Sequence, residues 1–570
     1  MRALPLAVLT LAVLMTGCSS GGPTAGSPVN QAAAPAAQRV LTASVALEPG
    51  FIAGLSPLPA RNATDFYQRI FNAFLDLYDD QERPLPYLAE ALPALNTDTW
   101  QVFPDGTMQT RYHLKPNLVW HDGSPLVADD FAFSYQVATT ANGFRTAVAP
   151  YTLMDSVTAP DDRTIIIHWK SIYPDASVLL VGDVKFGLVP MPRKILEQTF
   201  SQGVEAIQNS TYWAHDFVGA GPYKVDKWDT GNYLEAVAFD QHILGRAKID
   251  RIRLLFISDQ NTAFANILAG STDVALDSIG FSHVLQLKQE WAGTNKGTAG
   301  VTLASFTAAY IQHRPDYAKP AAILDVRVHR ALADAIDKQT FADTIWAGEL
   351  QPIDTIFSRS ADYYPIIDKA ITKYPYDPRT SERLMTEAGY TKGADGFYTS
   401  PTEGKLTFGS QTPIRRPEQP ALAANWRQVG FDFAERELSP TEGVDAEIRA
   451  TFPSMFINPA GLNEVQQTAV YHGTEVMSPD RGWRGENVPG YSNPAYDRLW
   501  DAWSITLDPN QRTQIRAQMA KILSDDLPSI MLTANPNAHA FLSTVKNIAP
   551  TTPYKTTGRI TWNIDKWELA

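Results

Sequence analysis

Apolar residues recur along this chain of 570 residues with two periods, which alternate irregularly from Leu41 to the end. Apolar positions three and four apart predict helices, and the candidates are Asp129–Ala138, Gln260–Ala269, Val326–Thr340, Thr380–Ala388, Gln419–Val429 and Gln511–Asp525. Short apolar or alternating runs predict strands, and the candidates are Leu41–Leu47, Thr164–His168, Tyr223–Trp228, Tyr233–Ala238 and Arg251–Phe256. Because one hydrophobic core seldom grows past about 250–300 residues, this mixture predicts an α/β protein of more than one domain.

The first residues depart from this pattern and read as a secretory signal. Arg2 gives a positive start, and Leu4–Met15 is almost wholly apolar but shorter than the roughly 20 residues that a membrane span needs. The stretch Leu-Met-Thr-Gly-Cys that ends at Cys18 resembles a bacterial lipobox. That resemblance implies cleavage of a signal peptide over residues 1–17 and attachment of lipid to the Cys18 thiol. The alternative is an ordinary signal peptide with a chance cysteine.

Residues 18–38 are predicted to be a flexible tether. Ser19–Gln38 has no charge and no aromatic residue, and it is rich in Gly, Pro, Ser and Ala, so it cannot build a core. A flexible chain of this length has a typical end-to-end distance of about 25 Å. We therefore expect the folded body to begin near Arg39, above a membrane to which lipid attaches it.

Composition narrows the classes of partner and chemistry. Cys18 is the single cysteine, so the mature chain forms no internal disulfide, and the formal net charge of −13 argues against a nucleic-acid partner. The sequence contains no Gly-x-Ser-x-Gly elbow and no His-Glu-x-x-His zinc motif, and its ten histidines are scattered. We therefore expect a binding protein without a metal or cofactor, and not an enzyme.

Two segments with glycine or histidine are predicted to be turns. His121-Asp122-Gly123 stands between a strand ending near Pro116 and the helix that starts near Asp129, with no third ligand at a metal-like spacing. In Gly219-Ala-Gly-Pro-Tyr223 the proline has no amide hydrogen and a strand follows, so the segment is not a phosphate-binding loop.

Four further motifs mark the starts or ends of helices later in the chain. Gly270, after Ile267-Leu-Ala, is expected to end a helix in the left-handed conformation. Asp325 is placed to cap the helix that follows, on which His329 is expected to lie at the surface. Tyr376-Asp-Pro and the stretch Gly490–Asp497 each precede another helix.

In their order along the chain, these segments closely resemble the family 5 solute-binding proteins of ABC importers, which include oligopeptide- and dipeptide-binding proteins. The resemblance runs from about Arg39 to the end. It implies a two-lobed, periplasmic-binding-protein-like α/β fold of type II, with an extra subdomain in lobe one. Lobe one is expected to comprise residues 39–312 and 535–570, lobe two residues 313–534, and the ligand is expected in the cleft between them.

The family resemblance also suggests ligand contacts. Peptide-binding members carry Arg-Ala-Gly-Trp followed by an aspartate that pairs with the free amine of the peptide. The matching stretch here starts at Arg449, has Phe452 for the tryptophan and has Met455 for the aspartate. Arg449 is a candidate for binding a carboxylate or for a structural ion pair. The candidate ligand residues are Arg61, Asn62, Tyr310, Gln312, Arg449, Phe452, Met455, Phe456, Asn458 and Trp483.

These observations predict an extracytoplasmic, lipid-anchored monomer that captures a small solute, a peptide or a peptide-like compound, and passes it to an ABC permease and ATPase complex. Met455 leaves open an alternative within the same family, an oligosaccharide or other non-peptide solute. A lipid-anchored sensor with this fold is a second alternative.

Overall fold

A computed structural model describes residues 39–58, 65–81, 83–140, 149–179, 187–413, 416–461, 463–550 and 559–570. Residues 39–570 form one compact unit, which begins where the sequence predicts the folded body to begin. The predicted signal and tether, including Cys18, lie outside the described residues, as do Arg61 and Asn62.

Helices and strands alternate through this unit. The helices are α1 Asp65–Phe71, α2 Ala128–Thr140, α3 Arg193–Ser201, α4 Val204–Gln208, α5 Gln260–Ala269, α6 Phe281–Glu290, α7 Val326–Asp334, α8 Lys338–Trp346, α9 Tyr364–Ala370, α10 Pro378–Glu387, α11 Glu418–Val429, α12 Pro440–Val444, α13 Ala446–Ala450, α14 Glu464–Ala469, α15 Pro494–Ile505 and α16 Pro509–Asp526. The strands are β1 Val40–Val45, β2 Asp76–Tyr78, β3 Pro84–Pro86, β4 Trp100–Val102, β5 Met108–His113, β6 Met154–Asp161, β7 Thr164–Trp169, β8 Tyr223–Asp229, β9 Tyr233–Ala238, β10 Arg251–Phe256, β11 Val274–Ala275, β12 Gly297–Ile311, β13 Thr391–Lys392, β14 Tyr398–Ser400, β15 Gly404–Lys405, β16 Thr407–Thr412, β17 Asp432–Glu437, β18 Met455–Ala460, β19 Ser529–Leu542, β20 Val545–Lys546 and β21 Glu568–Leu569.

One predicted helix is two helices in the structure. The periodic run Val326–Thr340 is interrupted after Asp334, and α8 begins at Lys338. The side chain of Asp337 accepts a hydrogen bond from the Thr340 amide and so caps α8, as Asp325 caps α7 by accepting from the Arg327 amide. Aspartate favours caps over helix interiors, and that preference outweighs the apolar periodicity here.

Three sequence predictions concern single residues near these helices. Gly270 ends α5 with φ 76°, as predicted. Gly123 has φ 84° in the predicted turn. The surface position predicted for His329 is wrong, because its ring is buried between the carbonyl oxygens of Ile323 and Asp526, at 2.6 and 3.1 Å.

A ten-stranded sheet runs through the unit in the order β17-β16-β18-β12-β19-β11-β1-β10-β9-β8. The long strands β12 and β19 lie in its middle and pair antiparallel from Gly297 with Leu542 to Tyr310 with Ser529. Because all the other strands stand on one side or the other of this pair, β12 and β19 connect the two halves of the sheet.

The two halves pack separate cores, which gives the fold its two lobes. The first core draws its residues from 41–276 and takes up the C-terminal residues Val545, Ile560, Ile564 and Trp567. The second half has one core on each face of its sheet, both built from residues between Phe306 and Ala534. A smaller cluster, formed by α5, α6 and the neighbouring parts of β12 and β19, lies beside them.

The first lobe carries a four-stranded antiparallel sheet, β4-β5-β7-β6, against which α2 packs. Two turns predicted from the sequence meet in this lobe. The His121 amide donates to the Gly219 carbonyl at 2.8 Å, and the His121 ring bonds both the Gly219 amide and the Gly221 carbonyl. Burial lowers the pKa of His121 to about 3, so the ring is neutral and holds the turn as a structural residue.

Candidate ligand-binding cleft

The carboxyl ends of two sets of parallel strands face each other across the middle of the large sheet. In the first lobe, β1 runs parallel to β10 and β11, and in the second lobe β16 runs parallel to β17 and β18. Ligands of open α/β sheets bind outside the carboxyl ends of strands, where neighbouring connections diverge. The space between these two edges is therefore the candidate cleft.

A ribbon of two strands spans this space. Residues 300–305 of β12 and 535–539 of β19 pair with each other and, within the described ladders, with no other strand. Five residue steps of about 3.3 Å give a span of about 16 Å. The ladder is irregular between Leu303 and Ser305 and again between Thr307 and Ala308, which places the breaks in regular pairing at the second-lobe end of the ribbon.

The edge of the second lobe is polar where the ribbon enters it. Asn535 donates to the Ser305 hydroxyl at 2.8 Å, and the Thr307 hydroxyl lies 2.9 Å from the Asn535 side-chain oxygen and 3.2 Å from Glu418 Oε1. Glu418 is the first residue of α11, which follows the carboxyl end of β16. The side chains of Asn535, Ser305, Thr307 and Glu418 thus link the ribbon to the start of α11.

Glu418 is a buried carboxylate whose hydrogen bonding is incomplete. Its residue is 1% exposed, the Arg416 guanidinium lies 3.6 Å from Oε1, and Oε2 is buried without a hydrogen-bond partner among the described residues. Burial lowers the pKa of Arg416. The N-terminus of α11 favours the negative charge of Glu418. Because an unpaired buried carboxylate oxygen is unfavourable, this edge is suited to a ligand that brings a donor.

The edge of the first lobe also carries carboxylates. Asp277, just beyond β11, accepts a hydrogen bond from the Ala46 amide at 2.8 Å. Glu48, just beyond β1, accepts from the Trp228 indole at 2.6 Å and from the Gly231 amide at 3.0 Å. Tyr67 lies near both, and burial, with the charges of Asp277 and Glu48, raises the pKa of its hydroxyl well above the usual value. The edge is thus anionic and held in place by backbone contacts.

Gln312, a predicted ligand contact, is fully buried and hydrogen-bonded within the second lobe. Its Nε2 donates to the carbonyl oxygens of Ala450 at 3.0 Å and Phe452 at 2.7 Å, and its Oε1 accepts from the amide and guanidinium of Arg314. These bonds occupy both ends of the amide, so the described geometry gives Gln312 a packing role.

The aromatic and apolar candidates also lie in the cores of the second lobe. Phe452 and Phe456 are fully buried with ring centroids 5.7 Å apart, and Tyr310 stands opposite Phe456 in the sheet. Met455 is fully buried at the first position of β18, opposite Ile311 and at the end of the strand farther from the ribbon. Met455 therefore does not stand at the edge where a ligand amine is expected to bind.

The remaining candidates are half-buried. Arg449 lies with its guanidinium 6.0 Å from the Phe456 ring centroid. Trp483, which has φ 60°, contacts Tyr317 with the ring centroids 6.2 Å apart and the rings tilted by 57°. Asn458 stands opposite Ala308 in the sheet, nearest to the ribbon of the candidates on β18. The structure thus brings Tyr310, Phe456 and Arg449 together and leaves Trp483 beside a different tyrosine.

Sequence reasoning missed Glu418, Thr307 and Asn535. A glutamate at the start of a helix is common, so Glu418 carries no signal that separates it from an ordinary helix terminus. Thr307 and Asn535 lie 228 residues apart, and their contact depends on the pairing of β12 with β19, which no local pattern reveals. Pro413 and Pro417, which flank the loop after β16, are the signal that marks this segment as irregular.

Two features of the described residues bear on the chemistry available. No group of three or more His, Cys, Asp or Glu side chains is arranged to hold a metal ion in the part of the chain that the structure describes. Among the same residues, the helices are too short or too polar to cross a membrane.

Comparisons with known proteins identify a matching family and several similar proteins. The model of the family described as bacterial extracellular solute-binding proteins, family 5 Middle, matches residues 90–471. The oligopeptide-binding protein AppA of Bacillus subtilis is 22% identical over 584 residues, which cover 99% of this chain and 97% of AppA.

Solved structures share the fold. The structure of the ABC transporter substrate-binding protein CtaP from Listeria monocytogenes gives a TM-score of 0.74 at 20% identity, covering 93% of this chain and 99% of CtaP. NikA from Brucella suis, solved in complex with Fe(III)-EDTA, gives a TM-score of 0.74 at 17% identity, covering 93% of this chain and all of NikA. The two-lobed architecture described above is that of these proteins.

Proposed function

Because this chain belongs to family 5 of the bacterial extracellular solute-binding proteins, we propose that it is the substrate-binding component of an ABC importer and captures peptides or peptide-like solutes outside the cytoplasm. The observation that carries the proposal is the pair of facing strand edges joined by one ribbon. Such an arrangement closes around a ligand when the closed form gains contacts from both sides.

The chemistry of the two edges favours a ligand with a positively charged or hydrogen-bond-donating group. Glu418 on one edge and Asp277 and Glu48 on the other provide carboxylates, and Glu418 retains an acceptor oxygen without a described partner. A peptide ammonium supplies such donors. AppA is named as oligopeptide-binding and was solved with a nonapeptide, which supports the same ligand class.

The non-peptide alternative depends on Met455, which stands where the family has an amine-binding aspartate. Met455 is buried in the second-lobe core, so we propose that Glu418 supplies the carboxylate for a ligand ammonium instead. The complex of NikA with Fe(III)-EDTA shows that the fold also accommodates a metal chelate. The binding experiment described next therefore includes metal chelates.

The ligand prediction is tested by calorimetric titration of the full chain with free peptides, N-acetylated peptides, oligosaccharides and metal chelates. We expect binding of free peptides and binding weakened about 10–100-fold by Glu418→Gln, because a hydrogen bond to a charged group contributes about 1.5–3 kcal/mol. Glu435→Gln, at an exposed position of the same lobe, is the control and should bind as the parent does. Binding of sugars or chelates alone contradicts the proposal.

Attachment to the membrane and association with a permease and ATPase complex are further parts of the proposal. We propose that Cys18 is the lipidation site, that residues 1–17 are removed, and that residues 18–38 tether a monomer near its permease and ATPase complex. We also propose residues 39–312 with 535–570 as lobe one and 313–534 as lobe two, with the end of β12 from Phe306 onward reaching into the cores of lobe two. The C-terminal residues that complete the first core support the discontinuous lobe one.

A further inference from the structure

Outside the ribbon, the two lobes are joined by an ion pair between residues 337 positions apart. Arg512, in the first turns of α16, donates from Nη1 to Asp175 Oδ1 at 2.7 Å and from Nη2 to Asp175 Oδ2 at 2.9 Å. This two-bond geometry is the strongest arrangement of arginine with a carboxylate, because the fork of the guanidinium matches both oxygens.

Asp175 lies in a segment that packs into the first core. Its neighbours Tyr173, Ala176 and Leu179 belong to the first core. The Tyr112 hydroxyl donates to the Ala176 carbonyl at 2.8 Å, and the Leu179 amide donates to Asp76 at 3.1 Å. The segment that carries Asp175 is therefore held in position by the first lobe alone.

Arg512 is held equally firmly by the second lobe. Its side chain is 10% exposed and its guanidinium lies 4.6 Å from the centre of the Trp503 ring on α15. Burial by itself lowers the pKa of Arg512, but the facing Asp175 carboxylate outweighs it and the pKa is raised. Leu507, in the turn just before α16, packs against the first core. The turn and the start of α16 together form a docking surface on the first lobe.

A second contact between the lobes lies beside the ribbon. Lys288 on α6 pairs with Glu349 just after α8, and Phe281 contacts Trp346 edge-on at 5.3 Å. Because α6 packs on β12 and β19 and α8 packs on β19, this contact stays near the pivot when the ribbon bends. By contrast, α16 packs on α9 and α15, so Arg512 is carried by elements of the second lobe away from the pivot.

We propose that Asp175 and Arg512 form a closure latch, an ion pair that breaks when the lobes open and that favours the closed arrangement in the ligand-free protein. Both partners are protein side chains, so the pair stabilises closure whether or not a ligand fills the cleft. A binding protein with such a latch requires less differential affinity from its ligand to close. The inference depends on the two-lobed fold and holds whatever the ligand is.

The latch is tested by measuring the distance between the lobes in the full chain. Spin labels are attached to cysteines introduced at the exposed positions Gln198 and Gln514, one in each lobe, in a Cys18→Ser background. Double electron–electron resonance then records the distance distribution without ligand. We expect Arg512→Gln and Asp175→Asn each to shift this distribution to longer distances, and the double variant to shift it no further than either single variant.

Arg516→Gln is the matched control. Arg516 lies one turn further along α16, over the same Trp503 ring, but pairs with Glu464 inside the second lobe. It should leave the distance distribution unchanged. An unchanged distribution in Arg512→Gln and Asp175→Asn overturns the latch, and so does an equal shift in Arg516→Gln, since that result indicates general loosening. If Arg512→Gln fails to fold, Asp175→Asn, at a more exposed side chain, decides the question alone.

Discussion

Asp334 is a buried carboxyl in an unfavourable electrostatic position. It is the last residue of α7, where the negative end of the helix dipole opposes its charge, and it is 5% exposed. Burial and the neighbouring charge of Asp377 raise the pKa of Asp334 to about 6. The unfolded chain releases this proton near pH 4, whereas the native protein keeps it until about pH 6. The free energy of unfolding therefore falls as the pH rises from about 4 to about 6.

We therefore expect Asp334→Asn to raise the free energy of unfolding at pH 7.5 by about 1–2 kcal/mol, less than the full shift because neighbouring cations and solvent offset part of it. At pH 4.5 the gain should fall to about a third, because native Asp334 is then protonated while the unfolded chain is still mostly ionised. Urea unfolding at both pH values measures the change, and Asp343→Asn, at an exposed position of α8, is the control. A gain of equal size at both pH values contradicts the assignment.

Single-residue roles were predictable from the sequence only where the backbone itself sets them. Gly270 and Asp325 act through local geometry, and both predictions are confirmed. The position of His329 was predicted wrongly because its burial depends on Asp526, which is 197 residues away. The ligand candidates over Arg449–Pro459 came from matching this stretch to a family motif. Where their side chains lie is decided by the pairing of β18 with β12, which local patterns do not encode.

At the scale of elements, the turn 219–221 shows why two glycines stand two residues apart. A Cβ on Gly219 would lie 2.1 Å from the Phe71 carbonyl oxygen, and one on Gly221 would lie 2.4 Å from the Phe71 carbonyl carbon. The Gly221 amide donates to that same carbonyl oxygen at 3.0 Å. The turn thus packs directly on the end of α1, and the glycines are required by close approach of two backbones.

Gly221→Ala is accordingly expected to destabilise the protein by about 1–3 kcal/mol, since backbone atoms must move apart. Gly123→Ala provides the comparison, because its Cβ would meet nothing within 4 Å and only its φ of 84° is strained, a cost of about 1–2 kcal/mol. Thermal unfolding of both variants separates the two causes. A smaller loss in Gly221→Ala than in Gly123→Ala contradicts the packing explanation.

Most regular elements followed from the apolar pattern. Helix α5 and strands β9 and β10 have the predicted bounds, and α11 begins one residue earlier than predicted. The strands that decide the architecture, β12 and β19, were not predicted, because their pairing joins residues more than 200 positions apart. Their role followed from the family resemblance and not from local periodicity.

At the scale of the whole molecule, the proposed anchor determines where the protein works. Cys18→Ser is expected to move the protein from the membrane fraction to the soluble fraction, because a diacyl or triacyl anchor is lost and the described helices offer no span. Fractionation of cells followed by immunoblotting measures the change, and Ser20→Ala, two residues further on, is the control. Retention of the Cys18→Ser protein in membranes contradicts lipid attachment at this residue.

The two lobes differ in when their cores become complete. The second lobe takes all its core residues from one continuous stretch between Phe306 and Ala534, and these two residues are direct partners in the sheet. The first lobe begins at β1 but needs Ile560, Ile564 and Trp567 to fill its core. During synthesis from the N-terminus, the lobe that starts first therefore finishes last, and its unfinished apolar surface persists until the final residues emerge. A chain truncated shortly before Ile560 would carry a complete second lobe and an incomplete first one.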